Sequence, residues 1–184
     1  MSHGRWKADY DLFARAKRGE VVALRGMLDR LAPKGHALAW RLLSNEADAQ
    51  DAVQDAFIKL LNGSPYAGAA SLETYFYSIV SRLCFDRLRA GRLDVVEAAD
   101  LAAMTDHDTP TPESAVAQGQ SEQCVRRAIG RLTPRQRLAI AMWTYDDATS
   151  ETIAEVIGIS PNAAHQLLFR AKENLKNILE KNRA

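Results

Sequence analysis

The sequence has little of what membrane proteins and enzymes are built from. No apolar run approaches the roughly 18–20 residues that a bilayer-spanning helix needs. The start, Met1-Ser2-His3-Gly4-Arg5-Trp6, leads into charged sequence without the apolar core of a secretion signal. A cytoplasmic protein with no membrane insertion is expected. Cysteine is limited to Cys84 and Cys124, far apart and outside any metal-ligand or redox spacing, so both are expected as reduced, buried thiols. The four histidines, His3, His36, His107 and His165, are scattered, and no Gly-rich phosphate loop or nucleophile beside a base is present. Catalysis, a metal site and a cofactor are all without support. Strand-like alternation of apolar and polar residues is almost absent too, which disfavours a sheet.

Charge of one sign is also scarce overall, because 24 Lys+Arg face 23 Asp+Glu for a net charge of +1. That total argues against a protein that simply coats nucleic acid. By segment the balance differs: +4 over residues 1–93, −7 over residues 94–122, which hold no Lys or Arg, and +4 over residues 123–184. Two mildly basic blocks around an acidic strip predict two modules and a linker. The expected fold is all-α, with two small helical domains, 1–93 and 121–184, joined by a flexible acidic linker over 94–120.

Helical spacing dominates both blocks. Val21, Leu24, Leu28 and Leu31 recur at three or four residues, as do Leu38, Leu42 and Leu43 after an expected break at Pro33-Lys34-Gly35. Ser44 or Asn45 offers an N-cap to a helix over about 46–61, whose stripe of Ala49, Ala52, Val53, Ala56, Phe57, Leu60 and Leu61 faces inward. Asn62-Gly63-Ser64-Pro65 ends it. A further helix runs from near Ser71 to about Ala90, with Leu72, Phe76, Ile79, Val80, Leu83 and Leu88 inward and arginines crowding its end. In the last block, Thr133-Pro134-Arg135-Gln136 combines an N-cap, a first-turn proline and a capping glutamine. Ser150 caps a short helix from Glu151 to Ile157, Gly158 stops it, and Ser160-Pro161 starts a last helix to about Lys181. Short helix, glycine turn and long helix form a helix-turn-helix pattern in the C-terminal domain.

Three constellations carry chemistry. On the last helix, Asn162, His165, Gln166, Phe169, Arg170 and Lys172 share an outward face; amides and Arg read base edges, and Lys holds phosphates. Read alone, the same face also suits an ordinary solvated hairpin. On the helix over 46–61, Asp48, Asp51 and Asp55 recur with Gln54 as an acidic stripe, either a solvated face or a docking face for a basic partner. Tyr66, in the loop from Gly63 to Ala70, and Tyr75, Phe76 and Tyr77 precede Arg82, Arg87, Arg89 and Arg92. Aromatic faces beside cations suit single-stranded nucleic acid, although Phe76 is expected in the core and a buried tyrosine face fits equally.

With these residues together, the chain resembles the bacterial extracytoplasmic-function (group 4) sigma factors of the sigma-70 family over nearly its full length. The run Asp48-Ala49-Gln50-Asp51-Ala52-Val53-Gln54-Asp55-Ala56-Phe57 resembles the segment that docks on the polymerase β′ clamp. Residues Tyr75 to Arg89 resemble the promoter-melting helix. Leu132-Thr133-Pro134-Arg135-Gln136-Arg137, Ile153-Ala154-Glu155 and the stretch ending Arg170-Ala171-Lys172 resemble the domain that reads the −35 element.

The resemblance implies core RNA polymerase (β′ clamp and β flap), promoter DNA and an anti-sigma factor as partners. It assigns Asp51, Gln54 and Asp55 to polymerase, Tyr66, Tyr75, Arg82 and Arg89 to the −10 element, and Asn162, His165, Gln166, Phe169 and Arg170 to the −35 element. The acidic strip resembles the linker that threads toward the RNA channel. Departures from the pattern are Tyr75 where Trp is common, Arg82 where Asn is common, Ala163-Ala164-His165 where Thr-Val-Lys is frequent, and Leu167 where Arg is frequent. The last two thin the basic face and imply weaker, less salt-sensitive DNA binding. A sigma-like decoy, which binds an anti-sigma factor without starting transcription, is the alternative.

Overall fold

The computed structural model describes residues 3–63, 66, 70–98, 124, 125 and 127–181, with side chains for all of these except 3–6 and 91–98. Among the described residues every regular element is a helix: α1 (His3–Lys17), α2 (Val21–Leu43), α3 (Glu46–Asn62), α4 (Leu72–Ala98), α5 (Pro134–Tyr145), α6 (Ser150–Ile157) and α7 (Pro161–Lys181). None is both long and apolar enough to cross a membrane.

Helix α2 is the first departure from expectation, because it runs unbroken through Pro33. Proline removes one N–H and crowds the carbonyl four residues back. Here Pro33 and Asp29 both face solvent, on the side of the helix where a carbonyl left without its helical partner costs least. Met27, Leu31, Leu38 and Leu42, fully buried on one stripe, hold the two halves in line. The stripe is narrower than its spacing implied, since Val21 and Leu28 remain exposed. Gly35 is in the helix for a reason of space: a Cβ there would lie 2.5 Å from Cε1 of Phe76 on α4.

Helix α1 lay outside the sequence expectation altogether. It buries Phe13, Ala16 and the carboxylate of Asp9, which recur at helical spacing. Asp9 accepts a hydrogen bond from Arg30 Nη1 at 2.6 Å through one oxygen and from the Leu72 backbone N–H at 3.1 Å through the other. One buried carboxylate therefore ties α1 to α2 and caps the start of α4.

The caps mostly follow the sequence. Asn45 accepts from the Asp48 N–H and starts α3. Thr133 and Gln136 form the reciprocal capping box of α5. Gly158, at φ 76°, closes α6 in the left-handed region that glycine enters freely. Two expectations shift. Thr149, not Ser150, caps α6 by accepting from the Thr152 N–H, so Ser150 is its first residue. Helix α4 extends to Ala98, past the expected linker start at 94; the remainder of that expected linker, 99–120, lies outside the described residues.

Helices α1–α4 pack around Phe57 and Phe76, whose rings lie 4.6 Å apart, and α5–α7 pack around Leu138, Met142, Ile153, Ala164 and Leu168. The two groups are not separate: α6 rests on α4, and α5 rests on the end of α2. A continuous buried cluster runs through both. Cys84 is buried, whereas Cys124 is only half-buried, short of the expectation for it.

Candidate nucleic-acid interface

The acidic stripe of α3 is presented as its spacing predicts, opposite the buried Val53, Phe57 and Leu60. Asp51 and Gln54 are exposed. Asp55 is half-buried and accepts from Arg87 Nη2 of α4 at 2.6 Å. That bond uses one carboxylate oxygen and fixes the rotamer of Asp55 against its neighbours. Arg87 thus braces α3, whereas the sequence reading places it at the end of its own helix as a complement to the dipole and as one of the cations beside the aromatic set. Ile58 shares this face, seven residues from Asp51 and 58% exposed. Its one signal in the sequence is that it falls out of phase with the apolar stripe of α3.

The aromatic set is split by burial. Tyr66 is 3% exposed, its ring edge-on to Phe13 (centroids 5.8 Å apart) and tilted against Tyr75 (5.5 Å), and its hydroxyl donates to the Ala70 carbonyl. In this arrangement Tyr66 is a packing residue, tied to Ala70 just ahead of α4, and not an open platform. Burial also raises its pKa. The rest of that loop, residues 64, 65 and 67–69, lies outside the described residues. Tyr75 is half-buried and keeps part of its ring accessible, while Arg82 and Arg89 are exposed. Arg89 sits 3.9 Å from Asp86, a contact worth little at such exposure. Phe76 and Tyr77 are buried, Phe76 as expected. Lys17 adds a cation near the same aromatics, 5.9 Å from the Phe13 centroid and donating to the Gly63 carbonyl at 3.1 Å.

On α7 the expected reading face is intact: Asn162, His165, Gln166, Phe169 and Arg170 are all exposed, and Phe169 keeps 57% of its surface. Lys172 differs. Its Nζ lies 3.3 Å from the Trp143 centroid on α5, so the cation is stacked on a ring instead of projecting outward. Leu167 is partly buried against the core, so its side chain serves packing. The helix-turn-helix geometry itself, α6, a left-handed Gly158 and α7, fixes the direction in which this face points.

Comparisons with known proteins agree with this layout. The sigma-70 region 2 profile matches residues 27–93, and the sigma-70 region 4 profile matches residues 122–175. Among curated relatives, the ECF RNA polymerase sigma factor SigW of Bacillus subtilis is 25% identical over 90% of this chain and 93% of its own. The RNA polymerase sigma-H factor of Pseudomonas aeruginosa is 27% identical over 94% of each chain. Two solved structures share the fold: RpoE of Bartonella quintana in complex with the anti-sigma factor NepR (TM-score 0.66, 19% identity, 87% of this chain and 98% of that one), and CnrH in complex with the cytosolic domain of CnrY (TM-score 0.65, 21% identity, 95% and 98%). With both regions present in order and relatives matched along nearly their whole length, the chain belongs to the extracytoplasmic-function branch of the sigma-70 family.

Proposed function

We propose that this chain gives core RNA polymerase its promoter specificity through three surfaces on three helices. The exposed face of α3, with Asp51, Gln54, Asp55 and the apolar Ile58, docks on polymerase. Tyr75, Arg82 and Arg89 on α4 take the opened −10 strand, with Tyr66 packed against Tyr75 beside them. Asn162, His165, Gln166, Phe169 and Arg170 on α7 enter the major groove at the −35 element.

The physics suits a recognition subunit without chemistry of its own. Extruding a base costs a few kcal/mol, and stacking on an aromatic ring returns roughly 1–3 kcal/mol per base. Arg170 and the amides can read base edges, while arginines on α4 neutralise phosphates. The modest basic excess of each module leaves most of the DNA grip to polymerase. An anti-sigma factor is the expected regulatory partner, as the structural neighbour RpoE is bound to one.

The observation that carries the reading is the exposure of Asp51 and Gln54 on α3, Arg82 and Arg89 on α4, and Asn162, His165, Gln166, Phe169 and Arg170 on α7. Run-off transcription with purified core polymerase and a promoter library tests it. The folded protein is expected to give discrete start sites. Asp51→Lys with Gln54→Ala should weaken polymerase binding at least about tenfold, and Phe169→Ala should weaken −35 binding about 5–20-fold, a deletion of about 1–2 kcal/mol. Absence of start sites from the folded protein refutes the proposal, and anti-sigma binding alone would identify a decoy.

A further inference from the structure

Among the described residues Asp9 is the one buried charged side chain, 1% exposed. An unpaired buried carboxylate is costly, and even a paired one is often matched in stability by apolar side chains of similar volume. The core around it already holds such side chains in Phe13, Met27, Leu31, Leu72 and Phe76. What a carboxylate adds to that packing is direction, because its bonds fix distance and angle where apolar contact does not. The partners of Asp9 are Arg30 and the Leu72 N–H, one for each oxygen. Its bond to Arg30 also holds that guanidinium's pKa above the ordinary value.

These bonds lead to the start of α4, and the start of α4 carries Tyr75. Lys34, one turn along α2 from Arg30, donates to both carboxylate oxygens of Glu73 at 2.8 Å. The Ser71 Oγ accepts from the Thr74 N–H at 3.0 Å and lies 2.8 Å from the Oγ1 of the same residue, which is buried. The Ser71 carbonyl accepts from the Tyr75 N–H at 3.0 Å. Each of the four residues from Leu72 to Tyr75 is thus tied: Leu72 to α1, Glu73 to α2, Thr74 and Tyr75 to Ser71. Helix α1 reaches the same place a second time. Phe13, four residues after Asp9 and so on its face, sits edge-on to Tyr66, which packs on Tyr75.

Asp9 and Phe13 are buried, so neither is placed to touch nucleic acid. Tyr75 is half-buried, and on the reading given above, on which this inference rests, its accessible part meets the opened strand. A stacking ring binds best when it is already in place, since ordering it on binding is subtracted from affinity. Neither bond of Asp9 reaches α3 or α7, which carry the polymerase and −35 faces.

We propose that Asp9 and Arg30 are positioning residues for −10 recognition: the pair sets the first turn of α4, and through it the place and tilt at which Tyr75 meets the opened strand. Affinity for the −10 strand therefore answers to a carboxylate that never contacts it, while polymerase docking and −35 reading do not.

The test uses the full-length chain and three affinities: for core polymerase and, once loaded on it, for a forked promoter fragment with a single-stranded −10 element and for a duplex carrying the −35 element alone. Asp9→Asn keeps the size of the side chain and an acceptor for the Leu72 N–H, but sets an amide against Arg30. Folded by circular dichroism, it should bind the forked fragment about tenfold more weakly, the loss of a displaced stacking ring, with the other two affinities within about twofold of wild type. A role in stability alone leaves the −10 affinity of the folded protein unchanged. Asp9→Asn/Arg30→Gln restores a neutral hydrogen-bonded pair and should recover most of the loss; a double variant no better than the single one overturns the pairing. Arg30→Lys keeps the charge but not the fork and should lose about threefold on the forked fragment, and it decides the matter if Asp9→Asn does not fold. A folded variant with wild-type affinity for the forked fragment overturns the positioning role, as does an equal loss in all three affinities. If the wild type on core polymerase holds the forked fragment no better than one with a scrambled −10 strand, the functional reading falls and the positioning role with it.

Discussion

Gly35 offers a sharp test of the packing argument, because helix propensity and tertiary packing predict opposite signs. In an exposed helix interior, Gly→Ala stabilises by about 0.8–1.0 kcal/mol. At Gly35 the new Cβ would sit 2.5 Å from Cε1 and 3.3 Å from Cζ of Phe76. Carbon pairs settle at about 3.5–4.0 Å, so about 1 Å of movement is needed. Phe76 has little room to give: it is fully buried, and the Phe57 ring lies 4.6 Å away. Overpacking of this kind costs about 1–3 kcal/mol. The tight approach places Gly35→Ala at the upper end, for a net loss of about 1–2 kcal/mol after the propensity gain. Gly26 is the internal control, exposed on the same helix with nothing within 4 Å of an added Cβ. Gly26→Ala should gain about 0.5–1 kcal/mol. At about 2–4 °C per kcal/mol for a chain of this size, the two variants should differ in Tm by about 3–12 °C. Urea and thermal unfolding followed by circular dichroism read both. The Gly35→Ala/Phe76→Leu double variant should recover part of the loss, a coupling that arises only between residues in contact. Equal stability of the two alanine variants would refute the reasoning.

Three further outcomes follow from the same structure. Asp9→Ala should lose about 2–4 kcal/mol in urea unfolding, because it strips Arg30 and the Leu72 N–H of a shared partner; a loss under about 0.5 kcal/mol would contradict its bracing role. Gly158→Ala should lower Tm by about 2–4 °C, the cost of about 1 kcal/mol for holding an L-residue at positive φ, with no change if the turn relaxes freely. Burial pushes the Cys84 thiol up to about 12, so a thiol reagent near pH 8 should label one cysteine quickly, the half-buried Cys124, and the second only on unfolding; two fast thiols would be inconsistent with the buried site.

Local chemistry was legible wherever one or two side chains decide it. The Asn45 cap, the Thr133–Gln136 box and the Gly158 turn are short-range hydrogen-bond or φ requirements. The exposed faces of α3 and α7 were legible as well, since a helix of fixed period sorts its residues by side. What escaped depends on partners distant in sequence. Pro33-Lys34-Gly35 reads locally as a break, but the buried stripe from Met27 to Leu42 outweighs one missing N–H, and Gly35 answers to Phe76. Helix α1 is dense in charge, and its one informative anomaly, an acid in register with Phe13 and Ala16, acquires meaning only through Arg30 and Leu72. Tyr66 and Tyr75 are equivalent by residue type; only the ring of Phe13 shows which is covered. The contact of Arg137 with Leu42 spans 95 positions, and nothing in either neighbourhood announces it.

The carboxylate of Asp9 bears on where this protein can be cut. Similarity to the region 2 family begins at residue 27, inside α2. A fragment started there would discard α1 and the first turns of α2, leave the Arg30 guanidinium and the Leu72 N–H unanswered, and uncover the ring of Tyr66 where Phe13 now covers it. Evolutionary similarity and mechanical completeness therefore mark different borders. The smallest first module able to hold Tyr66 and the start of α4 in place has to reach back at least to Asp9, well upstream of the point where its family signature starts.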